Sequence, residues 1–193
     1  MRIEWLSPKE LLAHEDVDPN MVEAVALQLR VRNRLIPPVV DQDTLTIIDG
    51  HHRVKASIKL GLKKVPLVLI PYRRAEVKVG KWYREFSKPA LVEEIFSTID
   101  SNGEFCAKFR SSSLCASSIY TLYWRLYALE DLLKYLGVRV AKRSQYEHGN
   151  NALDPPELSK DDVIDYARRG LLFPPKTTHH SYSFNIPRDE IDL

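Results

Sequence analysis

The sequence predicts an α+β protein assembled from short strands and helices. Apolar residues alternate between compact β-branched runs and runs with helical spacing, N-capping residues followed by proline mark helix starts, and glycines mark helix ends. The chain has 193 residues, of which 44% are hydrophobic and 28% charged, so it suits one domain or two small ones. This composition argues against a disordered or fibrous protein.

The elements of the first half follow from local signals. Arg2–Leu6 is compatible with a strand, and Ser7–Pro8 predicts the start of a short helical turn. Asp18–Pro19 predicts a second helix by the same capping logic, and Pro37–Pro38 breaks the pattern after it. The elements predicted next are strands at Val39–Val40 and Leu45–Ile48, a helix at His51–Leu60 stopped by Gly61, a buried strand at Val65–Ile70 and a strand near Glu76–Val79.

A domain boundary is predicted at Ser87–Pro89, where the pattern changes to longer helices with a different aromatic content. The elements predicted beyond it are a helix at Leu91–Ile99, a strand at Glu104–Arg110, a helix at Ser118–Tyr135 closed by Gly137, a strand at Val138–Ala141 and a last helix that Ser159 caps and Gly170 ends. The first domain is thus expected to span residues 1–88 and the second residues 89–193.

Charge and cysteine content restrict the classes of function. The 28 Lys and Arg residues are scattered and nearly balanced by 26 Asp and Glu, so no nucleic-acid partner is expected. Cys106 and Cys115 make no disulfide framework and lack the spacing of a zinc site, which favours a reducing compartment. The N-terminus lacks a signal-like apolar segment, and Val65–Ile70 is too short to cross a bilayer, so we expect a cytoplasmic protein without membrane association.

The stretch Asp49–Arg53 is the most informative one for chemistry. It places a carboxylate at a strand end, Gly50 at a turn, and His51, His52 and Arg53 on the first turn of a helix. Helix N-termini bind anions, and an arginine fork can clamp phosphate oxygens. Because Asp49 would repel phosphate unless a cation lay between them, a Mg²⁺-bridged nucleotide is the economical interpretation. The alternative is that Asp49 caps the helix and the histidines pack.

Three further segments carry weaker signals. Lys176–His180 follows a helix stop and two prolines with side chains that bind anions, although a solvated polar loop is an equally good interpretation. His14–Asp16 could place a carboxylate base beside the first cluster, although such loops are usually solvated. Trp82 ends a strand, where an aromatic residue is more often part of the core.

These residues also carry a resemblance to a known family. Ile36–Val40, Ile47–Arg53 and Leu60–Gly61 resemble the ParB/sulfiredoxin-like fold. The chain is more closely similar to the archaeal free L-serine kinases. The added matches are His14–Glu15, Val77–Val79 leading to Trp82–Tyr83, Arg169–Gly170, Pro175–Thr178 and His180.

The resemblance implies an activity and an architecture. ADP or ATP would donate its terminal phosphoryl group, with Mg²⁺, to the hydroxyl of free L-serine, giving O-phosphoserine for cysteine biosynthesis. A ParB/sulfiredoxin-like N-terminal domain would be joined by a smaller α/β C-terminal domain, with the active site in the cleft between them. The sequence leaves open whether ADP or ATP is the donor.

The resemblance also assigns residues. Glu15 matches the catalytic base, and Asp49 matches the acidic catalytic residue that meets Mg²⁺ or the hydroxyl. The nucleotide and phosphate would be held by Gly50, His51, His52, Arg53, Lys176 and Thr177, and serine by Trp82, Thr178 and His180. His179 stands where an archaeal free L-serine kinase has arginine. This chain is also shorter than that kinase, especially in the middle of the second domain.

Two alternatives remain within the same superfamily. One is a ParB-like nucleotide-dependent DNA-binding protein or nuclease, although no basic recognition helix follows the Ser118–Tyr135 helix. The other is sulfiredoxin chemistry, whose cysteine is missing from the Gly50–Arg53 motif.

Overall fold

A computed structural model describes residues 1–99, 101–144 and 151–193, and it divides into two compact units. Unit 1 consists of residues 1–79, 159–175 and 180–193, and unit 2 of residues 80–158 and 176–179. The chain therefore returns to unit 1 at residue 159, whereas the sequence predicts one boundary near residue 88. Arg73 pairs with Asp161 at 2.5 Å and Lys160 donates to the Arg74 carbonyl, which ties the last helix to unit 1.

The prediction of an α+β fold is confirmed. In chain order the elements are β1 (Arg2–Leu6), a 3-10 helix (Pro8–Glu10), α1 (Pro19–Arg32), β2 (Arg34–Leu35), β3 (Val39–Asp41), β4 (Ile47–Asp49), α2 (His51–Lys59), β5 (Val65–Ile70), β6 (Val77–Lys81), β7 (Tyr83–Phe86), α3 (Pro89–Thr98), β8 (Phe105–Phe109), β9 (Ser112–Ala116), α4 (Ile119–Tyr135), β10 (Val140–Arg143), β11 (Ala152–Leu153), α5 (Lys160–Arg168), β12 (Thr178–Tyr182) and β13 (Ile191–Asp192). No helix of the described residues is long and apolar enough to span a membrane.

Unit 1 is organised by a four-stranded sheet of order β1-β5-β3-β4. Strand β5 lies between β1, to which it is antiparallel, and β3, to which it is parallel, and all six of its residues are buried. Helices α1 and α2 contribute apolar side chains to the same core as β5. That core holds Val22, Ala26, Leu29, Leu35, Val40, Ala56, Val65, Leu67 and Leu69.

The predicted helix starts of unit 1 depend on side-chain caps that the structure contains. Asp18 accepts a hydrogen bond from the backbone N–H of Asn20, and Ser159 forms a capping box with Asp162 at the start of α5. One of two neighbouring predictions needs correction. The short helical turn predicted after Ser7 is the 3-10 helix Pro8–Glu10 and agrees with the prediction, whereas Leu45 adopts a left-handed φ of 59°, so the second predicted strand begins at Ile47.

Unit 2 is built from a three-stranded sheet of order β10-β7-β11, the β8–β9 hairpin, and helices α3 and α4. Its core includes Val92 and Phe96 of α3, Phe109 of β8, and Leu122 and Leu126 of α4. Strands β7 and β9 are absent from the sequence predictions because charged or small polar residues interrupt their apolar runs.

The hairpin also contains a feature that the cysteine spacing does not predict. Cys106 and Cys115 face each other directly in the β8–β9 register and form a disulfide bond. The expectation of reduced cysteines is therefore wrong for this structure. A separation of nine residues does not by itself predict a disulfide bond. The two cysteines meet because the hairpin makes them cross-strand partners.

Candidate active site

The first turn of α2 is the centre of the candidate site in unit 1. Gly50 is the N-cap of α2 with a left-handed φ of 99°, which lets the chain leave β4 and enter the helix in one residue. A Cβ at this position would lie 2.9 Å from Nε and Nη2 of Arg53. The glycine therefore permits both the turn and the close approach of the arginine side chain.

Arg53 holds the turn together. Its Nη1 donates to the carbonyls of Ile36 and Pro37, at 2.9 and 3.2 Å, and its Nη2 donates to Oδ2 of Asp49 at 3.0 Å. The sequence suggests that Arg53 clamps phosphate, but its guanidinium also braces the chain before β3 and the carboxylate at the end of β4. The Asp49 side chain keeps 46% of its surface exposed, so it remains accessible to a ligand.

The two histidines of the turn have different surroundings. His52 accepts a hydrogen bond from the backbone N–H of Asp18 at 3.1 Å, so its ring supports the start of α1. Nε2 of His51 is buried without a hydrogen-bond partner among the described residues. Burial, reinforced by nearby His14 and His180, lowers the pKa of His51 well below its usual value, which keeps the ring neutral at pH 7.

His51 belongs to a histidine cluster that also contains His14, His180 and Tyr72, all in unit 1. The His14 ring stands edge-on to His51 at 4.6 Å and to His180 at 5.9 Å between centroids. The Tyr72 hydroxyl lies 2.8 Å from Nε2 of His180, and burial raises the pKa of Tyr72, so the phenol keeps its proton. Burial also lowers the pKa of His14 to about 4.

Glu15 lies beside this cluster. Its Oε1 is 4.0 Å from Nε2 of His14, and its side chain is 12% exposed. The backbone is fixed from both sides, because Phe173 donates to the His14 carbonyl and the N–H of Asp16 donates to the Phe173 carbonyl. The Glu15 side chain is therefore mostly buried, and hydrogen bonds hold the backbone on both sides of it. The loop is not solvated, as such loops usually are.

The remaining predicted residues lie in unit 2, apart from His180. The indole Nε1 of Trp82 donates to the Thr178 carbonyl at 2.7 Å, and Nζ of Lys176 stands 4.7 Å from the ring centroid of Trp82. His179 meets the same indole edge-on at 5.1 Å, and burial lowers its pKa. Thr177 and Thr178 are buried. The predicted loop at 176–180 is a strand from Thr178 onwards, since β12 pairs with β6.

The predicted site residues thus form one cluster in unit 1 and another in unit 2. In unit 1 it assembles Glu15, the Asp49–Arg53 turn and His180, and it adds His14 and Tyr72, which the sequence does not assign to a site. The sequence signal for His14 is its place at a turn, as for the motif histidines, whereas nothing in the sequence distinguishes Tyr72 from a core tyrosine. No group of three or more His, Cys, Asp or Glu side chains in the described parts of the chain is placed to hold a metal ion.

Solved structures of known proteins share this fold. A free serine kinase variant with AMP superposes with a TM-score of 0.80 at 20% identity, covering 99% of this chain and 91% of the other. A second variant with ADP gives a TM-score of 0.77 at 18% identity, covering 100% of this chain and 92% of the other. At these identities the likeness establishes the fold. A search of protein-family models finds no match.

Sequence relatives extend over the whole chain. An ATP-dependent L-serine kinase of Staphylothermus marinus is 27% identical over 94% of this chain and 88% of its own length. An ADP-dependent L-serine kinase of Thermococcus kodakarensis is 23% identical over 100% of this chain and 90% of its own. A ParB-like protein of Sulfolobus acidocaldarius is 37% identical over 195 residues, covering 100% of this chain and 96% of that protein. This likeness along the full length shows that the chain belongs to the family of ParB-like proteins.

Proposed function

We propose that this protein is a phosphotransferase that moves the terminal phosphoryl group of ATP or ADP to the hydroxyl of free L-serine. The observation that carries the proposal is the mostly buried carboxylate of Glu15 beside buried His14, whose ring contacts His51 in the first turn of α2. The kinase relatives at 27% and 23% identity, which align with nearly all of the chain, support the same activity.

Glu15 is proposed to accept the proton of the serine hydroxyl. A pKa of about 4 keeps His14 neutral at pH 7, so its ring does not offset the negative charge that a base requires. The backbone bonds of His14 and Asp16 to Phe173 hold the carboxylate in place, and fixed positioning is a large part of what phosphoryl transfer asks of a protein.

The first turn of α2 is proposed to bind the donor phosphates. The first turn of an α-helix points backbone N–H groups along the helix axis, and the helix dipole places partial positive charge there. Asp49 adds a negative charge at the same end, which a Mg²⁺ ion between carboxylate and phosphate would offset. The exposed Asp49 carboxylate suits that role, since protein Mg²⁺ sites commonly use one carboxylate and the substrate's phosphates. Bound Mg²⁺ would neutralise charge on the transferred group.

Trp82, Thr178 and His180 are proposed to hold the acceptor, and Lys176 and Thr177 to bind phosphate. The ammonium of Lys176 and the hydroxyls of Thr177 and Thr178 are groups that bind a carboxylate or a phosphate. His179 cannot replace the arginine of the relative as a fixed cation, because burial lowers its pKa and leaves it neutral at pH 7. Lys176 is therefore proposed to supply the positive charge of this segment.

The experiment is a phosphorus NMR and mass-spectrometric assay of the purified protein with Mg²⁺, L-serine and either ATP or ADP. Phosphoserine with ADP or AMP as coproduct is the expected result, and the coproduct identifies the donor. Glu15→Gln should lower turnover about 10²–10⁴-fold with little change in nucleotide affinity. Glu10→Gln, an exposed carboxamide substitution in the 3-10 helix, is the matched control. Unchanged turnover in Glu15→Gln would overturn the base assignment.

The reaction is further proposed to supply a step that consumes O-phosphoserine. The resemblance to archaeal free L-serine kinases links that product to cysteine biosynthesis, in which phosphate is a better leaving group than the serine hydroxyl. An increase in cysteine formation when the protein is added to a serine-fed extract, and no increase with Glu15→Gln, would support this placement.

A second candidate function comes from the Sulfolobus acidocaldarius relative, which is a ParB-like protein. Nucleotide-dependent DNA binding would require basic side chains that can meet phosphates. Many of the exposed arginines and lysines instead pair with acidic side chains. Such pairs are Arg32–Glu190, Arg34–Asp192, Lys59–Glu23, Arg73–Asp161, Arg143–Glu85 and Arg169–Asp165. Salt-dependent DNA binding together with no phosphoserine product would favour this second function over the kinase.

A further inference from the structure

Three charged side chains lie together in the interior of unit 2. Arg84 of β7 and Glu130 of α4 are 2% and 3% exposed, and Arg84 Nε donates to Glu130 Oε1 at 2.9 Å. Lys142 of β10 stands directly opposite Arg84 in the β7–β10 register, and its Nζ is 2.9 Å from Oε2 of Glu130. We call Arg84, Glu130 and Lys142 the buried triad.

Stability is a weak explanation for a buried triad. The desolvation of buried charges offsets most of their mutual attraction, and apolar residues of similar size often serve as well or better. The Arg84 guanidinium also stands 5.7 Å from the centroid of the Tyr123 ring. The Tyr123 hydroxyl donates to the Pro156 carbonyl, so the ring beside Arg84 is itself held in place. We therefore looked for a contact of the Arg84 guanidinium that an apolar side chain could not make.

That contact is with Trp82. Nη1 of Arg84 donates to the Trp82 carbonyl at 2.5 Å, at the residue that separates β6 from β7. The Trp82 indole in turn donates to the Thr178 carbonyl, and its ring meets Lys176 and His179. A continuous chain of contacts, all within unit 2, thus runs from Glu130 through Arg84 and Trp82 to the segment Lys176–His179.

We propose that Arg84, held in orientation by Glu130, is a positioning residue that fixes Trp82, a proposed acceptor-binding residue, and through it the segment Lys176–His179. The identity of the acceptor as L-serine rests on the proposed function, whereas the positioning of Trp82 does not. The physical reason is geometric. Arginine holds its donors on separate nitrogens in one rigid plane, so it bonds a carboxylate and a carbonyl in fixed directions, whereas a lysine ammonium is a single flexible point charge that fixes neither direction.

The first test replaces the triad while preserving its volume. The triple variant Arg84→Met, Glu130→Leu and Lys142→Met is expected to stay folded, because apolar replacements of buried ion networks are tolerated. It should raise the KM for serine on the order of tenfold, as expected for loss of a charged hydrogen bond, with a smaller change in the KM for the nucleotide. Arg110→Met, which breaks the more exposed pair with Glu93, is the control and should leave both values unchanged.

The second test reads the tryptophan itself. The chain has three tryptophans, so Trp5→Phe and Trp124→Phe leave Trp82 as the single tryptophan, which is excited at a wavelength that the tyrosines do not absorb. In that background the triad variant should red-shift the emission and increase acrylamide quenching, whereas a purely structural role of the triad would leave the emission of a folded variant unchanged.

Arg84→Lys keeps a cation beside Glu130. If the triple variant does not fold, this single variant tests whether Arg84 positions Trp82. Increased quenching of Trp82 in Arg84→Lys supports the inference, and unchanged quenching with an unchanged KM for serine overturns it. If the wild-type protein makes no phosphoserine, the proposed function fails, but the quenching comparison still decides whether Arg84 positions Trp82.

Discussion

Gly50→Ala is expected to destabilise the protein through the contact between the α2 turn and Arg53. The new Cβ would lie 2.9 Å from both Nε and Nη2 of Arg53, closer than Cβ atoms in folded proteins approach other heavy atoms. A long side chain would normally swing away. Here it cannot do so without breaking its hydrogen bonds to Ile36, Pro37 and Asp49.

The magnitude follows from two contributions. A non-glycine residue in the left-handed region costs about 1–2 kcal/mol. Displacing a guanidinium from its carbonyl and carboxylate partners costs about 1.5–3 kcal/mol, at the lower end here because the Asp49 side chain is half exposed. Gly50→Ala should therefore lower the free energy of unfolding by about 2–4 kcal/mol.

Gly61→Ala is the matched control. Gly61 also has a positive φ, of 71°, but a Cβ there meets no described atom within 4 Å. Gly61→Ala should therefore lower the free energy of unfolding only by the backbone contribution of about 1–2 kcal/mol. Urea unfolding of both variants, followed by circular dichroism, measures the difference. Equal destabilisation of the two would refute the reasoning, because it would mean that Arg53 moves aside without loss.

Three further perturbations have defined outcomes. Burial lowers the pKa of His14 from 6.5 to about 4, so the unfolded chain binds the proton more tightly, and the free energy of unfolding should fall by up to about 3 kcal/mol as pH drops from 6.5 to 4. Urea titrations should show a flatter pH dependence in His14→Gln. Reducing the bond between Cys106 and Cys115, which are nine residues apart, should destabilise unit 2 by about 2–3 kcal/mol, and a Cys106→Ser, Cys115→Ser variant should not respond to reductant. Arg53→Ala should weaken nucleotide binding by about tenfold or more in calorimetry, and an unchanged Kd would contradict its predicted role in binding the donor phosphates.

Much of the local structure is predictable because its causes are local. The Asp18 side chain caps α1, the Ser159 side chain caps α5, and Gly61 follows α2 with a positive φ. Each signal acts within four residues along the chain, so the sequence contains both partners. The same holds for the strand Val65–Ile70, whose uninterrupted apolar run matches its complete burial.

The candidate site is predictable only in part. Asp49, Gly50 and the residues after them form a local motif, since a strand end, a turn and a helix start are consecutive in the chain. Tyr72 meets His180 across 108 residues, and the sequence offers no signal that the two will touch. Arg84 and Glu130, 46 residues apart, are likewise indistinguishable from surface charges until the fold buries both.

The sequence by itself determines the fold class, the positions of most helices, and the motif residues from which a phosphate-binding turn can be built. The tertiary structure decides which side chains share that turn's surroundings, that the two cysteines are cross-strand partners, and that the last helix belongs with the first sheet. The difference has one physical cause. Capping and periodicity act between neighbours in the chain, whereas pairing, burial and the pKa values of His14 and His51 depend on groups that only long-range packing brings together.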